Sequence, residues 1–186
     1  RAEPSEALKS NVVFHLGLES NKVLLSSNQL DKFRKGHQVL EELDINYVGA
    51  YPAGENWITP HLRAIHGTTV RSNGSTASAY VNKNPHVSTV FGHAHRQELQ
   101  YKTVANGDGP IRSVSGSPGC LCRVDGAVPS YGSGLTDNGR PVKHWEDWQQ
   151  GVMIGWVRPD DSFTLQPIHI MDGWTLYEGH EFKASN

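Results

Sequence analysis

Two short apolar strands, each ending at a glycine and separated by a helix-compatible segment, constrain this chain more than any other feature. Leu62-Arg63-Ala64-Ile65 is β-prone and stops at His66-Gly67, and His86-Val87-Ser88-Thr89-Val90-Phe91 is a second apolar run that stops at Gly92. Between them, Ser75 to Val81 is rich in small residues and follows a turn signal at Asn73-Gly74. Strands joined through a helix cannot form a hairpin. The connection is a crossover, and crossover strands pair in parallel.

The remaining elements fall on either side of this unit. Upstream, Leu30, Phe33, His37, Leu40 and Leu43 recur at three- and four-residue spacings, which predicts an amphipathic helix over Asn28–Leu43 that Ser26, Ser27 or Asn28 can cap. Ile45 to Val48 follows as a short strand. Downstream, Glu98–Ala105, Ile111–Ser115, Val152–Val157 and Ser162–Met171 all read as strands between Gly, Pro and Asp turns, so the second half is mostly β. Asp125 to Arg140 is rich in Gly, Pro and Ser without periodicity and reads as a long surface loop. No internal repeat or linker divides the sequence, and residues 1–186 are expected to form a single α/β domain.

Composition narrows the function classes. The 186 residues, 37% hydrophobic and 19% charged, suit a globular chain that buries about two thirds of its unfolded surface. A formal net charge of −2 gives no general attraction to nucleic acid or to an anionic membrane, so any phosphate affinity must come from a local site. No apolar run approaches the roughly 20 residues that cross a bilayer, and residues 1–5 are not followed by a signal-peptide core. These features predict a protein that does not enter a membrane and resides in the cytoplasm, that of a host cell if the gene is viral.

The two cysteines, Cys120 and Cys122, are one residue apart, too tight for an ordinary disulfide and too few for a structural zinc site. They read as reduced thiols in a turn, with an accessory metal or redox pair as the alternative. Of the ten histidines, His15, His37, His61, His86, His144, His169 and His180 are isolated and read as surface or satisfied core residues. His93 and His95 differ: they lie two apart beside Gly92 at a strand end, where extended backbone would direct both rings to one side. His66 ends the neighbouring strand and would supply a third imidazole, because ligands gather beyond the carboxyl ends of parallel strands. Neutral imidazoles brought together suit a transition-metal ion. Arg96 is a candidate contact for a substrate phosphate, with a salt-bridging role as the alternative. Trp145 and Trp148 read as core packing, or as a platform for a base.

Ala64-Ile65-His66-Gly67 and the segment Val90 to Glu98, VFGHAHRQE, resemble the last two signature motifs of the calcineurin-like metallophosphoesterases, in the same order and at comparable spacing. SVSGSPGCLC (Ser113 to Cys122), WQQG (Trp148 to Gly151) and IMDGWTLYEGHEF (Ile170 to Phe182) look like the tail of phage and bacterial members. The resemblance implies an α/β sandwich of two mixed sheets flanked by helices. It also implies hydrolysis of a phosphodiester or phosphomonoester, with a nucleotide or nucleic acid among the candidate substrates. Two divalent ions, of manganese, iron, nickel or zinc, would serve the reaction, His66 and His93 on one and His95 on the other.

The same family carries, upstream, Asp-x-His, Gly-Asp-x-x-Asp and Gly-Asn-His motifs that supply the carboxylate ligands, and none of them occurs here. No aspartate is followed two positions later by His, and the Gly107-Asp108 pair has Ile111 where a second Asp is required. Three neutral imidazoles cannot by themselves offset two dications a few ångströms apart. No catalytic residue is therefore assigned. The expectation is a C-terminal part of a larger enzyme, inactive without a partner carrying the N-terminal half; a non-catalytic metal-binding or assembly module on the same scaffold is the alternative.

Overall fold

Which face of each strand is apolar decides how the layers assemble. The computed structural model describes residues 53–126 and 146–184, together with residues 134, 135, 138, 141 and 142. All but the first two lie in the compact unit Glu55–Asn186. Five strands form its main sheet: β1 (Glu55–Thr59), β2 (Leu62–Ile65), β3 (Ser88–Phe91), β4 (Gln97–Val104) and β5 (Ile111–Pro118). The spatial order is β1-β2-β3-β5-β4. β2, β3 and β5 run parallel, and β1 and β4 close the two edges antiparallel. The fold is α/β with a mixed sheet, and the expected parallel crossover is present: β2 leads through helix α1 (Thr76–Lys83) to β3, with Leu62 opposite Ser88 and Ile65 opposite Phe91.

Side chains one or three apart on a strand face opposite ways, and this splits the core in two. Leu62 and Val90 join Val114, Leu99, Met153, Phe163 and Leu165 on one face. Ile65 and Phe91 join Ala77, Tyr80 and Ala94 on the other. The first cluster is closed by the antiparallel pair β8 (Gln150–Val157) and β9 (Phe163–Ile170), the second by α1. The central strands, covered on both faces, must be thin. β5 accordingly buries the small run Ser113 to Ser117, and a Cβ at Gly116 would stand 2.8 Å from Leu99 and 3.1 Å from Met153. Two of the buried hydroxyls meet neighbouring backbone, Ser88 Oγ accepting from Val114 N at 3.1 Å and Ser115 Oγ donating to the Thr89 carbonyl at 3.1 Å, whereas Ser113 Oγ has no hydrogen-bond partner among the described residues.

Helix α1 begins without a side-chain cap from Ser75. Glu98 of β4 takes that role, its Oε2 accepting from Ala77 N at 2.7 Å, where an anion also meets the positive end of the helix. Short two-stranded sheets complete the unit: β6 (Gly134–Leu135) with β7 (Pro141–Val142), and β10 (Trp174–Tyr177) with β11 (His180–Lys183). No helix among the described residues is long and apolar enough to cross a membrane. The helix expected over Asn28–Leu43 and the strand Ile45–Val48 lie outside the described residues, as does most of the loop Asp125–Arg140. Three features were not expected from residue patterning: β1, the β10–β11 hairpin, and the β6–β7 pair, whose first strand lies within the segment Asp125–Arg140 expected to be a loop.

Phe91 is 1% exposed and joins sheet, helix and the segment that follows it. Replacing it with alanine should cost ~3–5 kcal/mol through lost burial and the cavity left behind. Urea unfolding of Phe91→Ala measures this, and a loss under about 1 kcal/mol would contradict a closed helix–sheet interface.

Candidate metal centre

Because β2, β3 and β5 are parallel, their carboxyl ends share one edge of the sheet, where ligands gather in open α/β folds. His66 follows β2 there, Gly92 to His95 follow β3, and Gly119 to Cys122 follow β5. The structure thus brings the three candidate histidines to one edge of the sheet. The His66 and His93 rings meet edge to face with centroids 5.1 Å apart.

The loop after His66 is held by Tyr80 of α1, whose hydroxyl accepts from Thr68 N at 3.0 Å and from Thr69 N at 3.3 Å. Gly67 makes this approach possible: its φ is +90°, and a Cβ there would stand 2.8 Å from the Tyr80 hydroxyl. The neighbouring carbonyl orients His66 itself: Nδ1–H donates to Gly67 O at 2.9 Å, the tautomer in which a neutral ring carries its lone pair on Nε2.

Extended backbone with both rings to one side was expected at 93–95, and the structure corrects this. β3 ends at Phe91; Gly92 N–H is shared between Ile65 O at 3.3 Å and His66 O at 2.9 Å, and Ala94 N then donates back to Gly92 O at 2.7 Å. That last bond closes a tight turn with His93 at its apex. His93 and His95 both take left-handed backbone, with φ of 65° and 55°, which costs roughly 1–2 kcal/mol at each non-glycine position. Such a conformation persists only where the surroundings enforce it. Here Ala94 is 4% exposed and locked against Ala77 and Phe91, while Gln149 N donates to His95 O at 3.0 Å.

Gln149 belongs to a segment that residue patterning near the histidines did not identify. The Trp148 ring meets the His95 ring edge to face, with centroids 4.5 Å apart and planes at 84°. Gln97 N donates to Gln149 Oε1 at 3.2 Å, and Asp147 pairs with Arg96 at 3.4 Å. The stretch 146–149 is therefore lashed to the histidine loop at three successive residues. Trp145 lies outside the described residues.

Arg96 is 6% exposed. Its guanidinium donates to the carbonyls of Arg71 and Ser72, and its Nε faces Glu98 at 3.6 Å. It is a strut joining the loop before α1 to β4, and these protein acceptors engage the donors that a substrate phosphate would need. His61, His86, His169 and His180 are exposed, as expected of isolated histidines.

Burial is the main cause that lowers the His95 pKa below its ordinary value near 6.5, with the charges of His93 and His66 adding to it. His95 is thus kept neutral, the form that binds metal. Among the described residues no three His, Cys, Asp or Glu side chains form a ready metal-binding group. The imidazoles are arranged instead as a pair, His66 with His93, and a third, His95, set against Trp148.

Above about pH 6.5 His95 is neutral in folded and unfolded chains alike. As pH falls below this, the unfolded chain takes up the proton first, so stability declines until the lower folded-state value is passed and then levels. His95→Asn keeps a residue that tolerates left-handed backbone and removes this contribution. Urea midpoints at about pH 7.5 and about pH 5.5 should therefore differ less in the variant than in the parent; equal differences would contradict the lowered value.

No family model, no curated protein and no solved structure matches this chain.

Proposed function

We propose that this chain supplies the histidine ligands of a two-metal phosphoesterase centre of the calcineurin-like type, acting on a phosphodiester or phosphomonoester. The observation that carries the reading is the His66–His93 ring pair, 5.1 Å apart at the ends of two adjacent parallel strands, with His95 two residues beyond in an enforced left-handed turn. Backbone strain of this kind concentrates at functional sites. In this reading His66 and His93 hold one ion and His95 the other, and the mixed sheet is one of the two sheets of the family's sandwich.

The donors suit the group. Imidazole nitrogen accepts manganese, iron, nickel and zinc alike, and an oriented, neutral ring is the form each requires. Two divalent ions supply Lewis-acid stabilisation of the phosphoryl oxygens and activation of water. The chain's own residues have narrower tasks. The bond from His66 Nδ1 to Gly67 O orients one ring, and the edge contact with Trp148 orients the His95 ring. Burial keeps His95 unprotonated at neutral pH. Carboxylate ligands must come from elsewhere, because the acidic motifs do not occur in these 186 residues. The isolated chain therefore binds metal weakly and does not turn over. The same lack of acidic motifs favours a second reading, a non-catalytic module that keeps the scaffold and binds one ion.

Calorimetric titration with manganese or zinc tests the ligands. His66→Ala, His93→Ala and His95→Ala should each weaken binding on the order of 10- to 100-fold. Parent-like affinity in both His66→Ala and His95→Ala would overturn the site.

Hydrolysis of bis(p-nitrophenyl) phosphate with added manganese separates the two readings. The enzyme reading expects no activity from this chain alone and activity when it is mixed with a fragment carrying the acidic motifs. Metal binding with inactivity in both arms establishes the module.

A further inference from the structure

The β10–β11 hairpin carries a strand whose outer edge is open. The two strands pair in unbroken register from Tyr177 opposite His180 to Trp174 opposite Lys183. Along such a pair, residues alternate between those bonded to the partner strand and those whose N–H and C=O point away from it. Ala184 N donates to Gly173 O at 2.7 Å, which fixes the phase: His180 and Phe182 bond inward to β10, and Glu181 and Lys183 direct their backbone groups outward. β10 meets the same difficulty at Trp174, and there Met171 exchanges both bonds with it, at 2.9 and 3.0 Å. β11 has no such cover. Among the described residues β10 is its one strand partner, all of His180–Lys183 is exposed, and neither proline nor bulge interrupts the strand. Phe182, 53% exposed, stands on one face of this ribbon; Glu181 and Lys183 stand on the other, their charged atoms 3.1 Å apart.

We propose that this edge pairs with the same edge of a second copy of the chain, giving a four-stranded antiparallel sheet, β10-β11-β11-β10, about a two-fold axis. A two-fold contact sets a patch against itself, so the strand must complement its own sequence. Within His180–Lys183, three antiparallel registers set outward-facing residues opposite one another. Centring on Glu181 opposes two carboxylates, and centring on Lys183 opposes two ammonium groups; both are unfavourable. Centring on Phe182 sets Glu181 opposite Lys183 of the second copy, and Lys183 opposite its Glu181. Two hydrogen-bonded pairs, each exchanging two backbone bonds, then coincide with two pairs of opposite charge. The same register brings the two exposed Phe182 rings together at a non-hydrogen-bonded position, where side chains approach most closely. Lysine on an edge strand ordinarily discourages pairing, and here the glutamate two residues before it supplies the answering charge. The contact is smaller than a standard interface, so the dimer is weak, with a Kd on the order of 0.1–1 mM.

Sedimentation equilibrium of the full chain, reduced and metal-free, should show a reversible monomer–dimer equilibrium in that range. Glu181→Lys and Lys183→Glu should each weaken it on the order of 10-fold, because the two-fold axis turns both ion pairs into like-charge pairs. Combining the two substitutions exchanges the charges and should restore the parent affinity. Both positions are exposed, so the variants keep the fold. A trapping experiment gives a second reading that needs no tight association. With Cys120→Ser and Cys122→Ser as background, oxidised glutathione should link Phe182→Cys into a disulfide dimer, since this residue alone faces its own copy. Glu181→Cys and Lys183→Cys, each facing a different residue, should remain monomeric. A parent chain that stays monomeric through about 1 mM, a dimer indifferent to single charge reversal, failure of the double reversal to restore it, or equal linkage at all three cysteine positions would each overturn the proposal. The histidines take no part in this contact, so its failure leaves the phosphoesterase reading standing.

Discussion

The parallel pairing of β2 with β3 is the constraint on which the rest of this structure depends. It sets Ile65 opposite Phe91, so that the two strands end level and their following loops meet. The shared Gly92 N–H, bonded to the carbonyls of both Ile65 and His66, is the last rung of that ladder and the first bond of the site. Helix α1 makes the pairing possible as the crossover and then serves a second purpose. Its Tyr80 hydroxyl holds the loop after His66, and its Ala77 receives the methyl of Ala94. One βαβ unit therefore supplies both the rings and most of what fixes them.

The electrostatics of the same edge are arranged in two tiers. Buried Arg96 and Glu98 face each other at 3.6 Å, and Glu98 also accepts from the start of α1. Taking two such charges from water is costly; backbone carbonyls and an amide offset part of that cost, while Arg96 Nε and Glu98 Oε1 are buried with no hydrogen-bond partner and meet each other only as an ion pair. His95 beside them, by contrast, is held toward its neutral form by burial. A charged strut thus carries the mechanical connection, and an uncharged imidazole stands beside it.

Much of the fold was legible because local and long-range preferences agree. β4, β5, β8 and β9 follow turn signals that the structure respects to within a few residues, and the small-residue segment before Val81 had no other element to join. β1 was not legible: Trp57 and Ile58 are adjacent and both about half exposed, so the strand shows no alternation and exists through its pairing with β2. The β10–β11 hairpin had a readable signal, the two-residue turn Glu178-Gly179, whose φ values of 50° and 77° are the left-handed pair that such turns require. The histidines were legible by type and position, but their backbone was not. Left-handed geometry at 93 and 95 comes from the burial of Ala94 and from Gln149, far along the chain, and nothing in GHAH itself encodes it.

That distant tether has a consequence for the order of assembly. The bond from Gln97 to Gln149 and the ion pair from Arg96 to Asp147 span 52 and 51 positions, so each closes a loop large enough to be among the slower steps of folding. During synthesis the βαβ unit emerges and can pair long before residue 147 leaves the ribosome. In that interval the histidine loop is present without the segment that braces it. The ring geometry is therefore a late product of maturation, completed when the sheet edge captures a segment made some fifty residues afterwards, and a nascent or truncated chain would own the ligands without owning the site.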